Sequence, residues 1–391
     1  MAELPQNPPT NWFERNPKKT LGLFLFILLL GLTYAAEKIL AHLNHSRHLA
    51  LFTERRYINL RECLPGIDVV EVPPAKALRE SDGLVEKEYR VRTDADGFVL
   101  PYHKYEKPDR TLVFLGGSTV LCLYVEEENR YPYLVGNLLE QDTGKKITSL
   151  NGGVGGNNTL HSLNLLLNKV IPRRPDVVIL MHNINDLACL MYEKTYWSQN
   201  PSRAVIVEFT FYKNLKGLQA LATLARDIYI PNLHVATRTL RKKIQGAFKD
   251  PDDEFAQARG RKLELDPEAM AAEFRLNLQT FINICRARQI TPVLMTQFNR
   301  YRANPDGKVK EALEKFEKDT GVPGQEFMRA YHRLNDTTLE VARANGVLAI
   351  DLARDIPQDR QYMYDVVHLN TAGSRLAAHL ISEKLRPLVT P

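Results

Sequence analysis

Two distant segments carry residues able to do nucleophilic chemistry. Gly116-Gly117-Ser118-Thr119-Val120 follows a short apolar run, and Tyr364-Asp365-Val366-Val367-His368 lies near the far end of the chain. A serine hydroxyl is a weak nucleophile until a base stands within hydrogen-bond reach. Asp and His three residues apart, in a loop ahead of a helix, can both turn toward one point. The carboxylate then fixes the imidazole tautomer and stabilises its charged form, while the other ring nitrogen takes the serine proton. Each motif alone has a plainer reading: Gly-Gly-Ser also makes ordinary turns, and Asp-x-x-His also ligates metals. No His-Glu-x-x-His and no Cys/His cluster accompanies them, so neither metal nor cofactor is expected.

Two further segments supply donors. Asn151-Gly152-Gly153-Val154-Gly155-Gly156-Asn157-Asn158-Thr159 packs four glycines into five positions. Backbone must pass close to something there, with N–H groups to offer. The rival, a phosphate cradle, lacks the Lys-Ser/Thr ending of a P-loop, whereas an oxyanion site needs just such amides. Met181-His182-Asn183-Ile184-Asn185-Asp186 offers side-chain amides for the same purpose, or simply turn and cap residues. His182, beside Asn185, is the histidine outside the Asp-x-x-His pair to watch. His103, His161, His234, His332 and His379 read as structural or surface residues.

Elements must bring these segments together. Short apolar runs at Thr111–Leu115, Ile147–Leu150, Asp176–Met181, Thr291–Met295 and Gly346–Ile350 predict strands. Helical periodicity covers Tyr131–Gln141, Thr159–Val170, Met270–Arg288, Gly324–Asn345 and Thr371–Leu385. This alternation predicts a parallel sheet with helices on both faces and right-handed crossovers. The site of such a sheet lies at the carboxyl ends of its strands. The serine, the glycine loop and the asparagines each fall at a strand's end, and the Asp-x-x-His pair follows the last strand.

In that order, the four segments resemble the Ser, Gly, Asn and His blocks of the SGNH hydrolases, also called GDSL-like lipases or esterases. The resemblance covers about 112–385 and implies a flavodoxin-like three-layer α/β sandwich with a five-stranded parallel sheet. It implies Ser118 as nucleophile, His368 as base and Asp365 as its orienter. The oxyanion donors it implies are Gly156, Asn185 and the Ser118 amide. The expected activity is serine esterase chemistry on short acyl or acetyl esters of cell-surface carbohydrate or lipid. An O-acetyltransferase, or a scaffold that lost turnover, would use the same frame. Two departures stand out. Gly117 replaces the usual Asp, and Asn183 replaces the glycine of Gly-x-Asn-Asp, where it is expected to crowd the pocket. The Gly-Gly-Ser-Thr form after Asp96-Gly97-Phe98 is similar to membrane-associated bacterial members.

The rest of the chain concerns placement. Residues 1–19 form a polar tail ending in Arg15, Lys18 and Lys19, and Thr20 to Ala36 is a run of seventeen uncharged residues. With Leu40 and Ala41 it predicts one transmembrane signal-anchor at 20–41, or a signal peptide cut near Ala35–Ala36. The basic residues before it place the large domain on the non-cytoplasmic side, in periplasm or exterior. Residues 42–108 read as a juxtamembrane stalk and irregular lead-in, and 109–391 as the hydrolase domain. A stretch at about 190–268 breaks the alternation and reads as an insertion, either a lid or a structural elaboration.

Partners follow from this: an ester substrate and the membrane. A net charge of +6 over 391 residues, with no aromatic-interleaved basic stripe, argues against nucleic acid. Cys63, Cys122, Cys189 and Cys285 are scattered, with no Cys-x-x-Cys pair to hold zinc or do thiol exchange.

Overall fold

The computed structural model describes residues 11–45, 56–58, 60–197, 203–208, 263–305 and 307–390. They fall into two compact units. The smaller holds helices α1 (Trp12–Arg15) and α2 (Pro17–His45), and strand β1 (Arg56–Ile58), which pairs antiparallel with β7 (Ile206–Glu208). Helix α2 has 29 residues, about 44 Å at the α-helical rise. Its side chains from Leu21 to Tyr34 are exposed rather than packed on protein. Among the described residues it is the one helix long and apolar enough to cross a bilayer, as an anchor or a signal sequence would be.

The larger unit begins with the lead-in. Expected to be irregular, it contains a two-stranded antiparallel pair, β2 (Asp68–Glu71) with β3 (Tyr89–Arg92), enclosing the short α3 (Ala75–Arg79). The α/β alternation follows. Strand β4 (Arg110–Gly116) leads into α4 (Ser118–Leu121) and α5 (Tyr131–Thr143). Strand β5 (Ile147–Gly153) leads into α6 (Thr159–Leu165), and β6 (Val177–Met181) into α7 (Ile184–Glu193). Helix α8 (Pro267–Ala287) precedes β8 (Thr291–Met295). Then come α9 (Gly307–Thr320), α10 (Gly324–Asn345), β9 (Leu348–Ile350), α11 (Leu352–Asp355) and α12 (Thr371–Val389). Most of the expected insertion, 198–202 and 209–262, lies outside the described residues, and with it the lid reading.

The five strands β5-β4-β6-β8-β9 form one parallel sheet in that spatial order. In chain order this is second, first, third, fourth, fifth, the flavodoxin-like arrangement. Alternate strand residues serve opposite faces. Val113, Leu115, Val178, Leu180 and Leu294 join one buried cluster with residues of α6, α8 and α10. Leu112, Phe114, Val177, Ile179, Met181, Val293 and Met295 join another with α5 and α12. A slip of one residue would exchange the faces of every side chain, and each buried Leu or Phe contributes roughly 2 kcal/mol to the correct register. Strand ends are therefore fixed points. The chain leaves β4 toward β5 on one side and leaves β6 toward β8 on the other, so a crevice opens between the carboxyl ends of these two neighbouring strands.

Candidate active site

Ser118 sits in that crevice. It starts α4 directly after Gly117, at the end of the interior strand β4. His368 comes from the loop before α12, and its Nε2 lies 2.8 Å from Ser118 Oγ. The hydroxyl is thus placed to donate to the imidazole. His368 Nδ1 lies 2.7 Å from Asp365 Oδ2.

The loop that presents His368 is built by the same aspartate. Asp365 Oδ1 accepts the backbone N–H of Val367 at 2.9 Å and of His368 at 2.8 Å. One carboxylate oxygen folds the turn while the other orients the ring. Asn370 then caps α12 by accepting the Gly373 N–H at 3.0 Å. Tyr364 lies flat against the imidazole, with ring planes 3° apart and centroids 5.5 Å apart.

The pair is electrostatically matched. Burial works against the Asp365 carboxylate, but the charge of His368 and the hydrogen bonds it accepts outweigh this and hold its pKa below the ordinary value. Burial likewise disfavours the His368 imidazolium, yet Asp365 outweighs it and raises the histidine above its ordinary value. Both side chains keep about a quarter of their surface exposed, 24% and 25%.

Asn185 stands at the start of α7, beyond β6. Its Nδ2 donates to Asn157 O at 2.8 Å. An amide nitrogen carries two N–H donors, so one remains. The same Nδ2 lies 2.5 Å from where a β-carbon on Gly117 would stand. Asn185 therefore packs on the backbone just before Ser118, and the space an Asp at 117 would need is already filled. Gly156 lies on the loop after β5 with φ +75°, in the left-handed region glycine favours. Asn157 lies on the same loop as Gly156, so the Asn185 bond fastens this loop beside Gly117.

Asn183 does not crowd the pocket. Its Nδ2 donates to Tyr331 O and Asn335 Oδ1 on α10, both at 2.9 Å. Its φ of −171° lies outside the left-handed region that favours glycine. His182 also turns away. It is buried with Ser162 (Nε2 to Oγ 2.7 Å) and Asp186 (Nδ1 to Oδ2 3.5 Å). Burial drives its pKa down to about 3 and that of Asp186 up to about 6. All three residues are at most 2% exposed, which closes them to substrate.

Two supporting residues escaped the sequence. Gln297 donates from Nε2 to Thr119 Oγ1 at 2.9 Å, and its Oε1 accepts the Ile184 N–H at 2.9 Å. It so ties the serine's helix to the asparagine's. Its place just past the end of β8 was the available signal. Arg61, from the lead-in, lies on the glycine loop with Nη2 3.4 Å from Gly155 O. No sequence feature marked it.

A cleft of about 520 Å³ opens beside the histidine loop, lined by Asp365, Val366, Val367, Ala312 and Phe316 with Arg79 at its edge; Ser118 does not line it. Among the described residues no group of His, Cys, Asp and Glu is arranged to hold a metal.

A hydroxyl, an imidazole and a carboxylate in line at the rim of a flavodoxin-like sheet define a site suited to acyl transfer. The profile of the GDSL-like lipase/acylhydrolase family matches residues 114–376, and the chain belongs to that family, whose members are SGNH-type ester hydrolases. No curated protein is similar enough to match. Solved structures of similar fold include a lipase/acylhydrolase from Enterococcus faecalis, 16% identical over 71% of this chain and 96% of that one, TM-score 0.41. Another is an acetylxylan esterase from Geobacillus stearothermophilus, 16% identical over 71% and 94%, TM-score 0.40.

Proposed function

We propose that the chain hydrolyses acyl esters through Ser118, His368 and Asp365. The observation that carries this reading is the 2.8 Å approach of Ser118 Oγ to His368 Nε2, with Asp365 behind. Ser118 Oγ attacks the ester carbonyl as its proton passes to His368 Nε2. The carbonyl oxygen becomes an oxyanion held by the Ser118 and Gly156 amides and the Asn185 side chain. Collapse breaks the bond to the alcohol, which leaves with the proton from His368. Water then attacks the acyl-serine by the same path, giving a proton to His368; collapse breaks the acyl–Oγ bond and releases the acid as Ser118 Oγ takes that proton back. Hydrolysis needs no group beyond these residues and water.

The substrate we assign is a short acyl ester, acetyl foremost, on carbohydrate or lipid near a membrane. The exposed apolar helix α2 supports a tether, and Arg15, Lys18 and Lys19 ahead of it support a catalytic domain on the non-cytoplasmic side.

Phosphonylation tests the nucleophile directly. Full-length protein treated with a fluorophosphonate and digested should carry the adduct on the peptide containing Ser118. An adduct on another serine, with Ser118 unmodified, counts against the triad.

Gly117→Ala tests the asparagine. The added methyl meets Asn185 Nδ2 at 2.5 Å and Asn157 O at 3.2 Å, closer than atoms pack, so the amide must shift. The expected result is a kcat about 10²-fold lower with KM little changed, the scale of one lost oxyanion donor. Steady-state kinetics on p-nitrophenyl acetate would read it, and an unchanged kcat removes Asn185 from the oxyanion site.

A further inference from the structure

The lead-in lies along the outer side of the glycine loop. Besides the contact to Gly155 O, Arg61 Nη1 lies 3.5 Å from Gly156 O. Nη2 stands 3.1 Å from where a β-carbon on Gly156 would be. Asn157 Nδ2 donates back to Arg61 O at 2.9 Å, and Cys63 Sγ lies 3.6 Å from Gly153 O. On its other side the same loop is fastened to the serine's strand. The Val154 N–H donates to Gly116 O at 3.1 Å, and Asn157 O receives Asn185 Nδ2 beside Gly117. The glycine loop therefore runs between a guanidinium and the segment 116–118.

The geometry of one peptide unit gives this a consequence. The Gly155–Gly156 bond is trans, so its C=O and its N–H point in opposite directions. A guanidinium that holds the Gly155 oxygen on the outer side turns the Gly156 N–H to the inner side. Glycine at φ +75° has no β-carbon to resist rotation of that unit, so something else must hold it. A cation on the carbonyl oxygen also polarises the peptide and strengthens its N–H as a donor. Contacts of 3.4 and 3.5 Å are long for charge-assisted hydrogen bonds. The effect is one of aim and polarity more than of tight binding.

We propose that Arg61 is a positioning residue: from the lead-in it sets the Gly155–Gly156 peptide so that the Gly156 N–H faces the reacting carbonyl oxygen. The inference rests on the reading of Gly156 as an oxyanion donor. It assigns a role in the chemistry to a segment outside the residues that match the family profile. It also makes the part of the lead-in that carries Arg61 a part of the functional domain.

The experiment uses the full-length protein and p-nitrophenyl acetate. Arg61→Met keeps the apolar stem and removes the charged fork. It should lower kcat about tenfold or more, part of the cost of a lost oxyanion donor, with KM within about twofold and thermal stability close to wild type. In Arg61→Ala, tens of millimolar guanidinium should restore much of the lost kcat, since the free cation can occupy the vacated place. A residue that only fastens the lead-in would instead lower stability and activity together, without rescue. If both variants unfold, Arg61→Lys, which keeps one donor and the charge, should show an intermediate kcat. Wild-type kcat in Arg61→Met or Arg61→Lys, or no guanidinium rescue of folded Arg61→Ala, overturns the role of Arg61. The underlying triad would fail separately, by full activity in Ser118→Ala.

Discussion

Full-length protein carrying Ser118→Ala is expected to hydrolyse p-nitrophenyl acetate roughly 10⁶-fold more slowly than wild type, the scale seen when a triad nucleophile is removed. The reason is chemical. Without Oγ there is no acyl-enzyme, and His368 has only a water held by chance to activate. The remaining donors would still bind a tetrahedral species, so a small residual rate above the uncatalysed one should survive. Folding should not suffer, because Ser118 Oγ makes its described contact only to His368. Stopped or discontinuous assay of both proteins, matched by circular dichroism, checks this. A chain-length series from acetate to octanoate on wild type completes the test. Rates should be highest for acetate. Equal rates for variant and wild type would remove the esterase mechanism altogether, while a preference for octanoate would remove only the short-acyl assignment.

Asp365→Asn is expected to lower kcat by about 10⁴-fold, because an amide in that place can hold the wrong imidazole tautomer. A carboxylate accepts from Nδ1–H and leaves the Nε2 lone pair free for the serine proton. An amide can donate to Nδ1 and leave Nε2 protonated, with nothing to accept. The pH profile carries the sharper signature. His368 must be neutral to act as base, so kcat/KM falls as pH drops through its pKa. In the wild type Asp365 outweighs burial and raises that pKa, so the acid limb should lie above the ordinary imidazole value of about 6.5. In Asp365→Asn the charge is gone and burial remains, so the pKa falls and the limb moves to lower pH. The pH dependence of kcat/KM for both proteins decides the matter. A limb that stays put or moves upward in the variant means that Asp365 is not the group coupled to His368.

The local chemistry of this fold was legible because it lies in short stretches. Short apolar runs announced β4, β5, β6, β8 and β9, and helix α10 was legible from its periodicity to both ends, Gly324 and Asn345. Alternation of strand and helix was enough to place Ser118, Gly156 and Asn185 on neighbouring strand ends, since parallel strands with right-handed crossovers share one carboxyl edge. Helix α9 went unnoticed. Val309, Leu313 and Phe316 keep helical spacing, but lysines and glutamates surround them and dilute the apolar signal. The β2–β3 pair was hidden for a related reason. All four residues of β2 are exposed, so neither face carries an alternating pattern.

The amino-acid sequence by itself determined which side chains can react and which strand ends carry them, because both depend on residue type and local periodicity. Only tertiary structure decided their surroundings. Whether Asn183 enters the pocket or turns to α10 depends on contacts about 150 positions away. Whether Gly117 can replace an aspartate depends on Asn185 filling the same space. That Arg61 meets a loop some 95 positions later, and Gln297 a helix 178 positions earlier, is a property of packing. Such contacts arise when separate elements bury their apolar faces together, and no window along the chain contains both partners.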